Sequence, residues 1–330
     1  MLTQRLATSA VLISIASLLI YLDSSVPFAD VGGIWLLPLL GFFALGTAWD
    51  ITTLLRRAGR LVSPRVAIAA TTTVTFSAAI PMLWPLADST YPPNCPIGRL
   101  GWIVVGSVTA IFGILIVEMY RYGRHVETEL AAGIEKNVGL VDSRTIQRAM
   151  SSVFVSQYVG LPMALLVALR TMQEGNWGLW ALLTTIAVTK SADAGAYFTG
   201  KAIGRHKLIP RLSPGKTIEG AIGGIVTATI VAFVCLSQLF QTGPDGAQVS
   251  TATASITALT NPLWGSILLG PLLAVAGMVG DLAESLVKRD SGAKDSGNLL
   301  PGLGGVWDVT DSLIAAILPA ILCFAAGVGG

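Results

Sequence analysis

Apolar residues gather along this chain in runs of about twenty, the length a helix needs to cross a hydrocarbon layer ~30 Å thick. The runs fall at 6–22, 31–49, 66–86, 100–120, 151–170, 177–197, 217–240, 262–284 and 311–328, with polar clusters, glycine or proline between them. They predict nine helices and an all-α, polytopic integral membrane protein. Trp35, Trp49, Trp84 and Trp102 sit at the ends of the early runs, as an interfacial belt requires.

Composition agrees with that pattern. Hydrophobic residues make up 53% of the 330 positions and charged ones 12%, with a mean hydropathy of +0.70, which excludes an ordinary soluble domain. The placement of charge then sets orientation. With the N-terminus in the cytoplasm, the loops on that side receive all but Arg99 and Arg170 of the 21 Lys and Arg residues, and 241–261 holds none. The expected N-terminus is therefore cytoplasmic and the C-terminus lies across the cell's inner (cytoplasmic) membrane. A net charge of +2 spread over short loops leaves no nucleic-acid footprint. The first run has no small-residue cleavage site after it and reads as a retained helix.

The remaining polar signals divide the chain. Residues 1–150 read as a transmembrane scaffold with a cytoplasmic helical excursion at about 121–150 that carries Glu127, Glu129, Glu135 and Lys136. Asp50, beside Arg56 and Arg57, reads as a solvated juxtamembrane charge. Cys95, Cys235 and Cys323 are an odd set without a CxxC, and His125 and His206 lack ligand spacing, so neither a disulfide framework nor a zinc site is indicated. Residues 151–330 read as the catalytic region.

Two stretches there carry chemistry. In the first, Lys190, Ser191 and Asp193 close the run at 177–197, at a depth where ionisable groups should face a cavity. The loop at 200–220 follows, with Lys201, Arg205, Lys207, Arg211 and Lys216 among glycines and prolines, and Ser213, Thr217 and Glu219 at the start of the next helix. Backbone N–H groups and cations in such a loop suit phosphate. It is not a Walker A loop, since the glycine that motif needs five residues before Gly215 is missing, Pro210 standing there. Gly220 and Gly224, four apart, form a helix-packing face.

The second stretch, GDLAESLVKRDSGAKDSGNLLPGLGGVWDVTDS from Gly280, concentrates charge between two apolar runs. If the helix continues past Gly280, Asp281, Glu284, Ser285 and Lys288 share one face. Asp308 and Asp311 are again three apart where the last run begins, so two acidic pairs face a shared space. Carboxylates suit Mg²⁺, and Lys and Arg suit phosphate; together they point to metal-assisted phosphoryl or nucleotidyl transfer.

That second stretch resembles the signature of the phosphatidate cytidylyltransferase (CDP-diacylglycerol synthase) family, roughly S-x-x-K-R-x-x-x-x-K-D-x-G-x-x-x-P-x-H-G-G-x-x-D-R-x-D. Ser285, Lys288, Arg289, Lys294, Asp295, Gly297, Pro301, Gly304, Gly305, Asp308 and Asp311 match it, while Leu303 and Val309 replace its His and Arg. The runs DAGAYFTGKAIGRHK and LSPGKTIEG resemble the family's other block. The resemblance implies attack by phosphatidate on the α-phosphorus of CTP, giving CDP-diacylglycerol and pyrophosphate. It implies catalytic roles for Asp281, Lys288, Lys294, Asp295 and Asp308, and Mg²⁺ on Asp281 and Asp308, with Asp295 and Asp311 next and room for a monovalent ion. It further implies substrate contacts from Asp193, Lys201, Arg205, Ser213, Lys216, Thr217, Glu219, Glu284, Ser285 and Arg289, and pairing as a homodimer. Two other readings stay open: a CTP-dependent kinase of a polyprenol or phytol hydroxyl, and a non-catalytic relative or transporter that binds an anionic lipid.

Overall fold

The computed structural model describes residues 2–28, 31–87, 91–92, 94–131, 142–173, 175–240 and 257–330. Helices dominate, as apolar runs in a membrane demand, because only internal hydrogen bonding satisfies the backbone there. The chain forms α1 (Leu2–Ser25), α2 (Leu37–Arg57), α3 (Pro64–Ser77), α4 (Ile80–Leu83), α5 (Gly98–Ala131) and α6 (Asp142–Arg170). It continues through α7 (Trp177–Ile203), β1 (Lys207–Ile209), β2 (Ser213–Thr217), α8 (Ile218–Leu239), α9 (Thr257–Thr260), α10 (Pro262–Asp290) and α11 (Trp307–Ala325). All nine expected runs fall on helices.

Among the described residues, seven helices are long and apolar enough to cross a membrane. The run at 66–86 is broken instead: α3 and the following turns at Ile80–Ala87 meet at 58°, and make an eighth span only if counted as one. Pro81 explains the break, since it has no N–H to return to the preceding turn. The run at 177–197 becomes α7, whose Lys190, Asp193 and Lys201 leave it too polar to pass on composition. The excursion at 121–150 is entered by α5 and left by α6, and residues 132–141 lie outside the described residues, as do 241–256 of the segment free of basic residues.

The polypeptide divides into two compact units interleaved in sequence. Unit 1 comprises Met1–Ile13, Leu37–Val167 and Asp290–Asp308, and unit 2 comprises Ser14–Leu36, Ala168–Arg289 and Val309–Gly330.

In unit 1, Ala70, Val74, Ala110, Ile114 and Ala149 from α3, α5 and α6 form an apolar cluster. Glu118 of α5 is 2% exposed and draws in Arg121 at 3.1 Å, Arg148 of α6 at 2.9 Å and the hydroxyl of Ser63, the N-cap residue of α3, at 3.2 Å.

In unit 2, α7 and α8 cross closely enough for side chains to interlock with backbone. A Cβ on Gly220 would come 2.8 Å from the Ala196 carbonyl, and one on Gly224 would come 2.9 Å from that of Ala192. The expected packing face is therefore present, and only a missing side chain permits it. A second buried pair, Arg170 Nε to Asp23 Oδ2 at 2.7 Å, also belongs to this unit; the other Asp23 oxygen accepts the Gly33 N–H at 2.6 Å.

The sequence reading expected a plain loop at 200–220. The structure has a short antiparallel hairpin there, pairing Lys207 with Thr217 and Ile209 with Ser213. Ile218 N–H donates to the His206 carbonyl at 2.9 Å and closes its base.

Candidate active site

Unit 2 brings three carboxylates together. α10 runs unbroken from Pro262 to Asp290, so Asp281 and Glu284 share a face, and α11 supplies Asp311 from its second turn. One oxygen from each of the three lies within 4.8 Å of the others. Gly280 makes that approach possible, because a Cβ there would strike the Asp311 carbonyl.

Each acid has a lysine beside it, and each lysine comes from a different place. Lys216 Nζ of β2 is 2.6 Å from Asp281, Lys288 is 3.0 Å from Glu284 one helical turn away, and Lys190 of α7 is 3.9 Å from Asp311. Lys190 also lies 3.5 Å from Asp193 and donates to the Ser312 hydroxyl at 2.7 Å, which in turn donates to Asp193 at 3.0 Å. Burial strengthens these contacts, since Glu284 is 2% and Asp311 6% exposed.

A cavity of about 380 Å³ opens beside this cluster, bounded by α7, the hairpin, α8 and α10. Asp193, Lys201, Ser213, Lys216, Thr217 and Asp281 give it polar walls. Tyr197, Leu208 and Met278 give it apolar ones. The Thr217 oxygen also caps α8 by accepting the Gly220 N–H at 3.1 Å, which fixes the helix start against the cavity. Such a wall suits an anionic ligand with an apolar portion.

Other expected site residues stand elsewhere. Glu219 accepts backbone N–H groups from Arg205 at 3.1 Å and His206 at 3.2 Å and pairs with the His206 ring at 2.6 Å, so it ties down the entry to the hairpin. Arg205 does not line the cavity. Ser285 is half-buried on α10 and Arg289 exposed near its end. Lys294 and Asp295 are exposed in the signature loop of unit 1.

Asp308 also belongs to unit 1, where its carboxylate accepts from Ser296 N–H at 3.1 Å, the Ser296 hydroxyl at 2.8 Å and Gly305 N–H at 2.7 Å. Within unit 2 the acids that join Asp281 are Glu284, expected as a substrate contact, and Asp311. The helical spacing of Asp281 and Glu284 carried that signal. Lys190 was marked by its depth in the run at 177–197, whereas Ser312 carried no signal, because its part depends on how α7 meets α11.

One reading is overturned. Asp50 is not a solvated charge: it is 2% exposed. The run was expected to end at 49, whereas α2 continues to Arg57 and carries Asp50 inside.

The donor set suits a hard divalent cation, being all carboxylate oxygen. A cytidylyltransferase family model matches residues 3–326. The chain belongs to the cytidylyltransferase family. Its relatives include phosphatidate cytidylyltransferase of Haemophilus influenzae, 42% identical over 140 residues, or 42% of this chain and 44% of that protein. The Bacillus subtilis phosphatidate cytidylyltransferase is 37% identical over 157 residues, 48% of this chain and 51% of its own. The Escherichia coli protein YnbB, whose name states no activity, is 39% identical over 137 residues, 42% of this chain and 40% of its own. The chain spans about half the length of the curated relatives it matches.

Proposed function

We propose that this chain transfers CMP from CTP to phosphatidate, forming CDP-diacylglycerol and releasing pyrophosphate. The observation that carries the reading is the Asp281, Glu284 and Asp311 cluster with its lysines, set against a polar-walled cavity. Mg²⁺ is the cation this donor set fits, and it would neutralise triphosphate charge and orient the leaving group. The proposed orientation places these groups on the cytoplasmic side of the inner membrane, where the nucleotide is, on the strength of the Lys and Arg asymmetry. Pairing as a homodimer is part of the same proposal.

The reaction joins two anions. Phosphatidate is a phosphate monoester with a second pKa of about 6, so it is already mostly a dianion at neutral pH. A phosphatidate oxygen forms the new bond to the α-phosphorus while the bond from that phosphorus to the bridging oxygen breaks, and pyrophosphate leaves with the electron pair. No proton needs to be removed from the nucleophile, so Leu303 in place of histidine removes no necessary base.

What the protein must supply is positive charge. Lys216, at the cavity wall and 2.6 Å from Asp281, can turn its ammonium toward a phosphate when a cation takes its place on the carboxylate. Lys190 and Ser312 hold Asp311 and Asp193 in register. Lys201 and Ser213 offer donors along the same wall. The signature resemblance adds Lys288, Arg289 and Lys294 as further cations for these phosphates.

The test is α-³²P-labelled CTP with phosphatidate and purified protein in detergent, with and without Mg²⁺, following lipid-linked cytidine and pyrophosphate together. Metal-dependent appearance of both is expected. CDP as the nucleotide product with a phosphorylated alcohol would replace this reading with a lipid kinase, and CTP binding without turnover would replace it with a binding protein.

A further inference from the structure

Asp50 stands in α2, buried in unit 1, 246 positions before Ser296 in sequence. A carboxylate at that depth is costly unless donors meet it. The donors come from the signature loop. Trp307 N–H reaches Asp50 Oδ2 at 3.1 Å, and the Ser296 hydroxyl lies 3.5 Å from the same oxygen.

The loop is also shaped around this carboxylate sterically. A Cβ on Gly297 would collide with Oδ1 of Asp50, and one on Gly305 would collide with Oδ2. Ser296 shares its hydroxyl with Asp308 at 2.8 Å, and Asp308 takes the Gly305 N–H at 2.7 Å. Both ends of the loop, 296–297 and 305–307, are therefore drawn onto two acids. Between them Leu300 and Gly304 exchange backbone hydrogen bonds at 3.0 Å in each direction and close the tip. Lys294 and Asp295 stand immediately before the pinned segment.

We propose that Asp50 is a positioning residue for the signature loop: its carboxylate, carried by the scaffold half of the chain, fixes where Lys294, Asp295 and the start of α11 stand. The kinetic consequence rests on the nucleotidyl-transfer reading. The placement of the loop rests on the contacts alone.

The experiment compares the full chain with Asp50→Ala and Asp50→Asn in detergent, by hydrogen exchange read by mass spectrometry and by steady-state kinetics with CTP and phosphatidate. Asp50→Ala should speed amide exchange over 296–307 about tenfold, leave α5 and α6 unchanged, and lower kcat about tenfold with KM for CTP within about twofold. Asp50→Asn keeps an oxygen to accept the Trp307 N–H and should restore protection to within about threefold. Unchanged loop protection in Asp50→Ala would overturn the proposal. So would a loss spread evenly over all helices, or an Asn variant no better than Ala, since either assigns Asp50 to general packing. If the unmodified chain forms no CDP-lipid, the transfer reading falls while the exchange result still decides the loop.

Discussion

Glu118 in unit 1 and Glu284 in unit 2 are equally buried, at 2% exposure, yet they keep different company. Glu118 is held by two arginines and a serine hydroxyl, from three elements, at 2.9–3.2 Å. Glu284 has a lysine one turn along its own helix, and its neighbours in the trio are likewise met by lysines. Arginine offers a rigid planar fork that locks several groups at once, whereas lysine offers a point charge on a flexible stem. The difference separates a clamp from an exchangeable counter-ion. Burial alone would not have told the two apart.

Asp23 and Arg170 follow the first pattern within unit 2, at 2.7 Å and both nearly inaccessible. This pair also accounts for one of the two basic residues that escape the positive-inside asymmetry. The charge of Arg170 is cancelled locally rather than exposed to either aqueous phase.

The contrast can be broken most forcefully at the trio. Asp281→Asn should lower CDP-lipid formation about a thousandfold while the melting temperature holds. Retained activity at normal metal dependence would remove Asp281 from the site. Glu118→Gln should do the reverse. It leaves two arginines facing a neutral amide and should cost about 2–3 kcal/mol of stability, less than for a fully buried pair because Arg121 is 40% exposed. Chemical denaturation would measure it, and activity per folded molecule should stay within about twofold of the unmodified chain.

Lys216→Met sharpens the comparison further, with an expected loss of about 10- to 100-fold in kcat/KM. On the proposed competition between this lysine and a cation for Asp281, Mn²⁺ binding measured by electron paramagnetic resonance without nucleotide should tighten. Weaker binding would show that Lys216 builds the site instead of countering it. The smallest effect belongs to Leu303→His, which restores the signature residue and should change kcat less than about twofold, since the phosphate dianion needs no base.

Much of this was legible in the residues. Apolar runs gave helix positions because membrane crossing fixes their length, and the i, i+3 spacing of Asp281 and Glu284 placed both on one helical face. Where the reading went astray, the reason is local. The span containing Asp50 was ended at 49, where the apolar run stops, but a loop far along the chain supplies donors that let the carboxylate remain inside. The basic loop at 200–220 was read from its charges and glycines, while its strand pairing needed only a few extended residues that leave no periodicity.

Asp308 and Asp311 show the limit of spacing most directly. Three residues apart at the start of α11, they were expected to face one space as a pair. Asp308 instead accepts backbone and hydroxyl donors from the signature loop, and Asp311 joins the acids of α10.

The sequence by itself determined the membrane-spanning class, the helix positions and the kinds of chemistry available, because these follow from hydropathy, periodicity and side-chain type along the chain. Tertiary structure alone decided which acids stand together, which cation meets each, and that Asp50 lies inside. Those outcomes depend on close approaches between distant segments, such as α10 against α11 at Gly280 and α2 against the loop at Gly297, and no spacing along a single chain encodes them.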